Sequence, residues 1–116
     1  MASEKVHELN ELNFESLVAR AGVVLVDFTA AWCPPCKALS PIVARMAEEM
    51  WGRISVASVD VDACPYLAEK FKIRGLPTLV VFQDGKEITR RIGLTNAEGV
   101  RALLPAPLAR LSAAAV

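Results

Sequence analysis

The chain alternates between short continuous apolar runs and longer stretches in which apolar residues recur at helical spacing. The run Val23–Phe28 is apolar except for Asp27, as expected for a central β-strand that is covered on both faces. Other short runs that are bounded by turn residues indicate further strands. We predict these strands at Val6–Leu9, Ile54–Val61, Thr78–Phe82 and Lys86–Ile92.

Helical spacing of three and four appears first after Asn13. Asn13 is a candidate N-cap for this helix, which Gly22 would end. The predicted apolar positions of the helix are Phe14, Leu17, Val18 and Ala21.

The longest helical pattern runs from about Pro35 to Met50. Pro35 suits a first helical position, because the N–H that proline lacks would be unpaired there anyway. Pro41 lies inside the pattern and should remove one backbone hydrogen bond and bend the helix. The predicted buried stripe consists of Cys36, Leu39, Val43, Met46 and Met50.

Two shorter helices complete the pattern. One should start at Pro65, and the last one should start at a capping box formed by Thr95 and Glu98. Pro105 and Pro107 should break or kink this last helix. The predicted buried positions of the last helix are Val100, Leu103 and Leu104.

The order of these elements predicts an α/β fold. A strand, a crossover helix and a second strand form a parallel unit, while Asp84-Gly85 is a hairpin signal that makes the last strand antiparallel. A chain of 116 residues fits one domain, 1–116, with its core at about 6–104 and a C-terminal tail at 105–116.

Composition narrows the classes of function. Thirteen basic and thirteen acidic residues give a formal net charge of zero, which disfavours a nucleic-acid partner. No apolar run approaches the roughly 18 residues that a membrane span requires. The polar start of the chain does not resemble a secretory signal, and three cysteines do not resemble a disulfide framework. We therefore expect a cytoplasmic protein without a membrane or nucleic-acid partner.

The candidate chemistry lies in Ala30–Lys37, which contains the Cys33-Pro34-Pro35-Cys36 segment. A Cys-x-x-Cys at a strand-to-helix junction in a small α/β chain indicates a thiol–disulfide centre. Cys33 should lie at the start of the helix and Cys36 in its first turn. Because a helix N-terminus favours negative charge, this placement should activate the Cys33 thiolate.

A pair of zinc ligands is the alternative interpretation of the two cysteines. A structural zinc usually takes four protein ligands. Cys64 and His7 are the remaining soft candidates, and both lie far from the pair in sequence. We therefore expect no metal. A buried, unreactive thiol is the expectation for Cys64, with a regulatory thiol as the alternative, and His7 needs no special role.

Two segments resemble the thioredoxin family. They are Val-Asp-Phe-x-Ala-x-Trp-Cys-x-Pro-Cys-Lys at Val26–Lys37 and Ile-Arg-Gly-Leu-Pro-Thr at Ile73–Thr78. The hairpin and Gly93 match as well, and the resemblance covers about Val6 to Leu104. It implies the thioredoxin fold, a central mixed β-sheet of about five strands flanked by about four helices. It also implies a monomer that reduces protein disulfides.

The resemblance assigns roles to the two cysteines. Cys33 would attack a client disulfide, and Cys36 would resolve the resulting mixed disulfide, which leaves a Cys33–Cys36 redox-active disulfide. No cofactor would be bound, and electrons would come from NADPH through a thioredoxin reductase. Pro34 stands where typical thioredoxins carry glycine. It removes one N–H beside the sulfur, so the N–H groups of Cys36 and Lys37 are the expected remaining donors.

Asp27 interrupts the apolar strand and should lie under the active site. Burial should raise the pKa of its carboxyl, and a carboxyl near Cys36 can accept the proton that the thiol loses. Many thioredoxins have a lysine facing this acid, but the matching position here is Ser58. Without that cation the pKa of Asp27 should rise further. A carboxyl with only a structural role is the alternative.

The resemblance also predicts the surface on which clients bind. Pro77 should follow a cis peptide bond, which would place the Leu76 backbone beside Cys33 to pair with an extended client segment. Thr29 replaces a second tryptophan of many thioredoxins, so packing behind the site should differ. The expected client-binding residues are Trp32, Pro34, Pro35, Ile73, Gly75, Leu76, Pro77, Gly93 and Leu94.

Two other functions remain open at this point. A disulfide oxidase or isomerase of an oxidising compartment can use the same fold, and the double proline keeps this alternative open. A non-catalytic thioredoxin-like binding module is the second alternative. The intact Cys33, Cys36 and Asp27 argue against it.

Overall fold

Five β-strands form one mixed sheet in the computed structural model, which describes residues 3–20 and 22–110. The strand order is β1-β3-β2-β4-β5. Strands β1 and β2 run parallel to β3, whereas β4 is antiparallel to both β2 and β5. The strands are β1 (Val6–Leu9), β2 (Val23–Thr29), β3 (Ile54–Asp60), β4 (Thr78–Gln83) and β5 (Lys86–Ile92). All five predicted strands are confirmed, with ends that differ by one residue at most.

The helices cover both faces of this sheet. Helices α1 and α3 pack on one face, where Phe14, Phe28, Phe71 and Phe82 form an aromatic cluster. Helices α2 and α4 pack on the other face. The helices are α1 (Phe14–Val18), α2 (Pro34–Glu49), α3 (Pro65–Lys70) and α4 (Ala97–Arg101). Because both faces are covered, β2 and β4 carry almost continuous apolar sequence.

Helix α2 positions the cysteine pair. It begins one residue earlier than predicted and runs past Pro41 to Glu49. The predicted stripe of Cys36, Leu39, Val43, Met46 and Met50 is fully buried, which confirms the phase of the helix. Within residues 3–20 and 22–110, no helix is long and apolar enough to cross a bilayer.

Two predicted helix caps are wrong. Asn13 precedes α1, but its backbone is helical, and its side chain accepts the Asn10 N–H at 2.7 Å instead of capping the helix. Helix α1 also ends at Val18, before Gly22, and Ala21 lies outside the described residues. At α4, the side chain of Asn96 accepts the Gly99 N–H at 2.9 Å, so Asn96 rather than Thr95 is the cap.

The chain after α4 continues along the α2 face. Helix α4 ends at Arg101, before Pro105 and Pro107. A 3-10 turn follows at Leu108–Arg110, and Leu108 packs against the core cluster under α2. Positions 111–116 of the predicted tail lie outside the described residues.

Candidate functional site

The two cysteines meet where β2 leads into α2. Cys33 is the N-cap residue of α2, and Cys36 lies in the first turn. The two residues form a disulfide, and their Cα atoms are 5.2 Å apart. Both side chains are buried, with 3% of Cys33 and 1% of Cys36 exposed. The predicted placement of the pair at the start of the helix is therefore confirmed.

One of the two predicted backbone donors reaches the Cys33 sulfur. The Cys36 N–H donates to Cys33 Sγ at 3.2 Å. The Lys37 N–H instead donates to the Cys33 carbonyl oxygen at 3.1 Å, as the first regular bond of the helix. The prediction for Lys37 is therefore wrong, and the prolines at 34 and 35 have no N–H to offer. A Cys33 thiolate would rely on the Cys36 N–H and on the positive end of the helix dipole.

The loop before β4 lies against the cysteine pair. Its Leu76–Pro77 peptide bond is cis, as predicted. Leu76 packs on the small cluster that contains both cysteines. The Thr78 hydroxyl donates to the Gly75 carbonyl oxygen at 2.6 Å, and the Gly93 N–H donates to the Pro77 carbonyl oxygen at 2.7 Å. These two bonds fix the loop from both sides.

An open, mainly apolar groove of about 580 Å³ adjoins Cys33. We call it the client groove. Six of the predicted client-binding residues line it: Trp32, Pro34, Pro35, Ile73, Gly75 and Leu76. Pro77, Gly93 and Leu94 are not part of its lining, although the side chain of Leu94 is half exposed. The structure therefore brings most of the predicted surface together around Cys33.

Sequence reasoning missed the contribution of α3 to the client groove. Pro65, Ala68 and Glu69 of α3 and Arg74 in the loop after it also line this groove. Glu69 and Arg74 form an exposed ion pair with an N···O distance of 3.5 Å. The apolar phase of α3 predicts which of its residues face the core, but it does not reveal that its other side borders Cys33.

Asp62 is a second residue that sequence reasoning missed. Its Oδ2 accepts the indole N–H of Trp32 at 2.7 Å. This bond holds the ring beside the cysteine pair, although 66% of the Trp32 side chain is exposed. A tryptophan N–H usually finds a partner when the side chain is buried, but Trp32 is exposed, so the sequence carries no signal for this bond.

Asp27 is buried beneath α2, with 3% of its surface exposed. Burial raises the pKa of its carboxyl to about 7. No group among the described residues donates a hydrogen bond to its Oδ1. Ser58 is its register partner on β3, and both residues border the same cavity. The expected pairing of Asp27 with serine rather than lysine is confirmed.

The third cysteine lies away from the site. The Cys64 side chain is buried just before α3, with its Sγ 3.9 Å from the Leu9 carbonyl oxygen. Burial raises the pKa of its thiol, and the charges of Glu11 and Asp60 raise it further. The described residues contain no group of three or more histidine, cysteine or acidic side chains that could hold a metal ion.

We predict that Cys64 resists alkylation in the folded protein. A buried thiol with a raised pKa offers little thiolate to iodoacetamide at pH 7.5. The oxidised protein should incorporate almost no label by mass spectrometry until urea unfolds it, and then it should take up one label. The Cys64→Ser variant is the control and should take up none. Rapid labelling of Cys64 under native conditions would contradict the prediction.

The fold and the buried cysteine pair at a helix N-terminus define the class of thiol–disulfide oxidoreductases. The profile of the Thioredoxin family matches residues 5–106. The thioredoxin of Chlamydia trachomatis is 37% identical over 99 residues, which cover 85% of this chain and 95% of that protein. The thioredoxin of Staphylococcus aureus is 35% identical over 97 residues, which cover 84% and 92%.

A solved structure agrees with these relatives. A mutant thioredoxin from Halobacterium salinarum superimposes with a TM-score of 0.79 at 33% identity, covering 89% of this chain and 90% of that one. The chain belongs to the thioredoxin family. It is a thiol–disulfide oxidoreductase with a dithiol–disulfide reductase role, and the predicted fold is confirmed.

Proposed function

We propose that Cys33-Pro34-Pro35-Cys36 is the redox centre with which this protein reduces disulfides in client proteins. The observation that carries the proposal is a closed Cys33–Cys36 pair at the N-terminus of α2, beside an apolar groove. The groove offers a docking surface next to the sulfur that attacks the client disulfide. Cys33 lines this groove, whereas Cys36, in the first turn of α2, does not.

Cys33 is the nucleophile in this proposal. Its thiolate attacks one sulfur of the client disulfide, the client S–S bond breaks, and the other client sulfur leaves as a thiolate. Cys36 then loses its proton and attacks Cys33 Sγ. The mixed disulfide breaks, the second client thiolate leaves, and Cys33–Cys36 closes. Two electrons pass to the client, and its two thiolates take protons from water.

Asp27 is the proposed acceptor of the Cys36 proton. A general base works best when its pKa lies near the working pH, and burial raises the pKa of Asp27 to about 7. A proton transfer through water fits the partly polar cavity that Asp27 borders. The client segment is proposed to lie along Trp32 and the Leu76–Pro77 loop, with Gly93 and Leu94 at the outer edge.

The proposal includes the protein's partners and location. Regeneration of the dithiol would need a thioredoxin reductase that draws electrons from NADPH. We propose that the protein is a single domain that works as a monomer in the cytoplasm. Its partners there would be disulfide-containing client proteins. The free, buried Cys64 fits a compartment that keeps thiols reduced.

The equilibrium reduction potential of Cys33–Cys36 tests this function. We expect a value of about −270 mV, as for thioredoxin. The measurement uses dithiothreitol and glutathione buffers with Trp32 fluorescence and thiol alkylation as readouts, in a Cys64→Ser background. A value of about −180 to −120 mV, where isomerases and strong oxidants lie, would indicate an oxidase or isomerase instead. The Pro34→Gly variant then shows how much of the difference the extra proline causes.

A further inference from the structure

Three polar residues form a row across the sheet beneath α2. Asp27 on β2 pairs with Ser58 on β3, and Ser58 pairs with Glu8 on β1. Register partners on neighbouring strands point to the same face of a sheet. Exposure increases along this polar row, from buried Asp27 through half-buried Ser58 to exposed Glu8. The row therefore connects a buried carboxyl with the protein surface.

A cavity of about 190 Å³ follows the polar row. All three residues of the row line it, together with Thr29 and Ser40. Val6, Val43 and Ala44 complete the lining, so the cavity is partly polar. A water molecule occupies about 30 Å³ of liquid, so the cavity has room for several. Asp27 Oδ1 accepts no hydrogen bond from the described residues, which leaves it available to such a water.

The resolving cysteine, Cys36, borders a second space next to this cavity. A larger hollow of about 590 Å³ is lined by Cys36 and also by Glu8, Thr29, Ser40 and Ser58. These four residues also line the cavity of Asp27, so the two spaces adjoin. The client groove shares none of these four residues. The client groove therefore borders Cys33, whereas the hollow that adjoins the cavity of Asp27 borders Cys36.

Of the charged residues that line these two spaces, one carboxylate stands at the exposed end of the polar row. Glu8 belongs to β1, Asp60 to the end of β3, and Lys37 to α2, while the β4 partner of Asp27 is the apolar Leu79. Asp60 Oδ1 already accepts the N–H groups of Asp62 and Ala63 at 2.9 and 3.4 Å. Glu8 is the carboxylate in register with Ser58 and Asp27.

We propose that the proton taken up by Asp27 leaves the protein along the polar row, through water and the Ser58 hydroxyl to Glu8 at the surface. This proposal rests on the proposed function, in which Asp27 accepts the proton of Cys36. In each step one O–H bond breaks as the next one forms, and the last proton passes from Glu8 to bulk water. Asp27 is then an anion again and ready for the next turnover. Ser58 and Glu8 are positioning residues, since neither touches the sulfurs.

The test compares threonine with valine at position 58. The two side chains have the same shape, but only threonine keeps a hydroxyl. The dithiol protein is mixed with increasing concentrations of a short peptide disulfide in a Cys64→Ser background, and single turnovers are followed by Trp32 fluorescence. The initial slope reports the attack by Cys33. The plateau at high peptide concentration reports the resolving step, in which Cys36 loses its proton.

We expect Ser58→Thr to keep the wild-type plateau and Ser58→Val to lower it about tenfold, less than the roughly 10²–10⁴-fold that a whole general base contributes. The initial slope should be equal in both variants. A merely structural change at position 58 would not separate threonine from valine in the plateau alone. Equal plateaus for the two variants would overturn the proposal.

A surface substitution provides a second test that does not disturb the core. Glu8→Gln should lower the plateau several-fold, whereas Glu4→Gln, at an exposed position outside both spaces, should leave it unchanged. A plateau that Glu8→Gln leaves at the wild-type value would also overturn the proposal. Failure of the proposed function looks different, because the parent protein itself would then show no turnover of the peptide disulfide.

Discussion

Replacing Cys33 by serine should abolish disulfide reduction, whereas replacing Cys36 by serine should trap the client on the protein. Cys33 faces the client groove, and Cys36 does not. A serine hydroxyl is not ionised at neutral pH and cannot replace a thiolate in the attack on a disulfide. We expect Cys33→Ser to lower the reduction of insulin by more than roughly 10³-fold, the scale on which loss of a nucleophile acts.

The Cys36→Ser variant distinguishes the role of Cys36 from that of Cys33. Cys33 should still attack, but nothing resolves the mixed disulfide, so non-reducing gels and mass spectrometry should show a 1:1 adduct that dithiothreitol releases. The Cys64→Ser background removes the third thiol from both variants. If Cys33→Ser forms the adduct and Cys36→Ser does not, the assignment of the two roles is reversed. If neither variant forms it and both keep wild-type activity, the pair is not the redox centre.

The sheet was predictable from sequence because its central strands are buried on both faces. A strand such as β2 then has to be apolar at almost every position, and such runs are visible without any structure. The hairpin was predictable for a different reason. The Asp84 and Gly85 backbones adopt positive φ angles of 53° and 86°, and Asp-Gly is a sequence that tolerates this turn.

The helix caps were less predictable because neighbouring polar residues compete for them. Asn96 caps α4 because its backbone is extended, with φ −98° and ψ −178°, which lets the side chain reach the Gly99 N–H. Asn13 has a helical backbone, with φ −111° and ψ −2°, and its side chain turns back to Asn10. Sequence alone does not reveal which of two adjacent candidates takes the extended backbone.

The site was predictable where the cysteine motif and the family resemblance specify neighbours along the chain. Cys33, Cys36 and the cis bond before Pro77 are examples. The partners that tertiary packing adds were not predictable. Asp62 reaches Trp32 across 30 positions, and α3 borders the client groove only after the sheet has formed. The Lys37 N–H does not reach the sulfur because it forms the regular helical bond to the Cys33 carbonyl oxygen.

Replacing Asp27 by asparagine should stabilise the oxidised protein at pH 8 by up to about 4 kcal/mol. Burial raises the pKa of Asp27 to about 7 from its ordinary value of 3.8, and each pKa unit corresponds to about 1.36 kcal/mol. Below about pH 4 the carboxyl is protonated in both the folded and the unfolded state. Between that pH and pH 7, only the unfolded state loses its proton, so the free energy of unfolding falls as the pH rises. Above pH 7 the cost of the buried charge is constant.

Urea unfolding of both proteins at pH 5, 6, 7 and 8 measures this cost. The advantage of Asp27→Asn should be about 1.6 kcal/mol at pH 5 and should grow until about pH 7, where it levels off. Other carboxylates titrate in both proteins and cancel in the difference. Glu4→Gln serves as the control for the loss of an exposed carboxylate, and it should change stability by less than about 0.5 kcal/mol at every pH. A difference that is independent of pH would contradict the raised pKa.

The same substitution should slow the resolving step at pH 7, because asparagine cannot accept the Cys36 proton. We expect a loss of roughly 10²-fold or more in the plateau rate, the lower end of general base catalysis. Stability and activity should thus change in opposite directions in one variant. If the carboxyl only supported the fold, its replacement would lower the free energy of unfolding and leave the plateau rate unchanged. The opposite signs would show that the fold carries the cost of a buried charge because the charge performs the proton transfer.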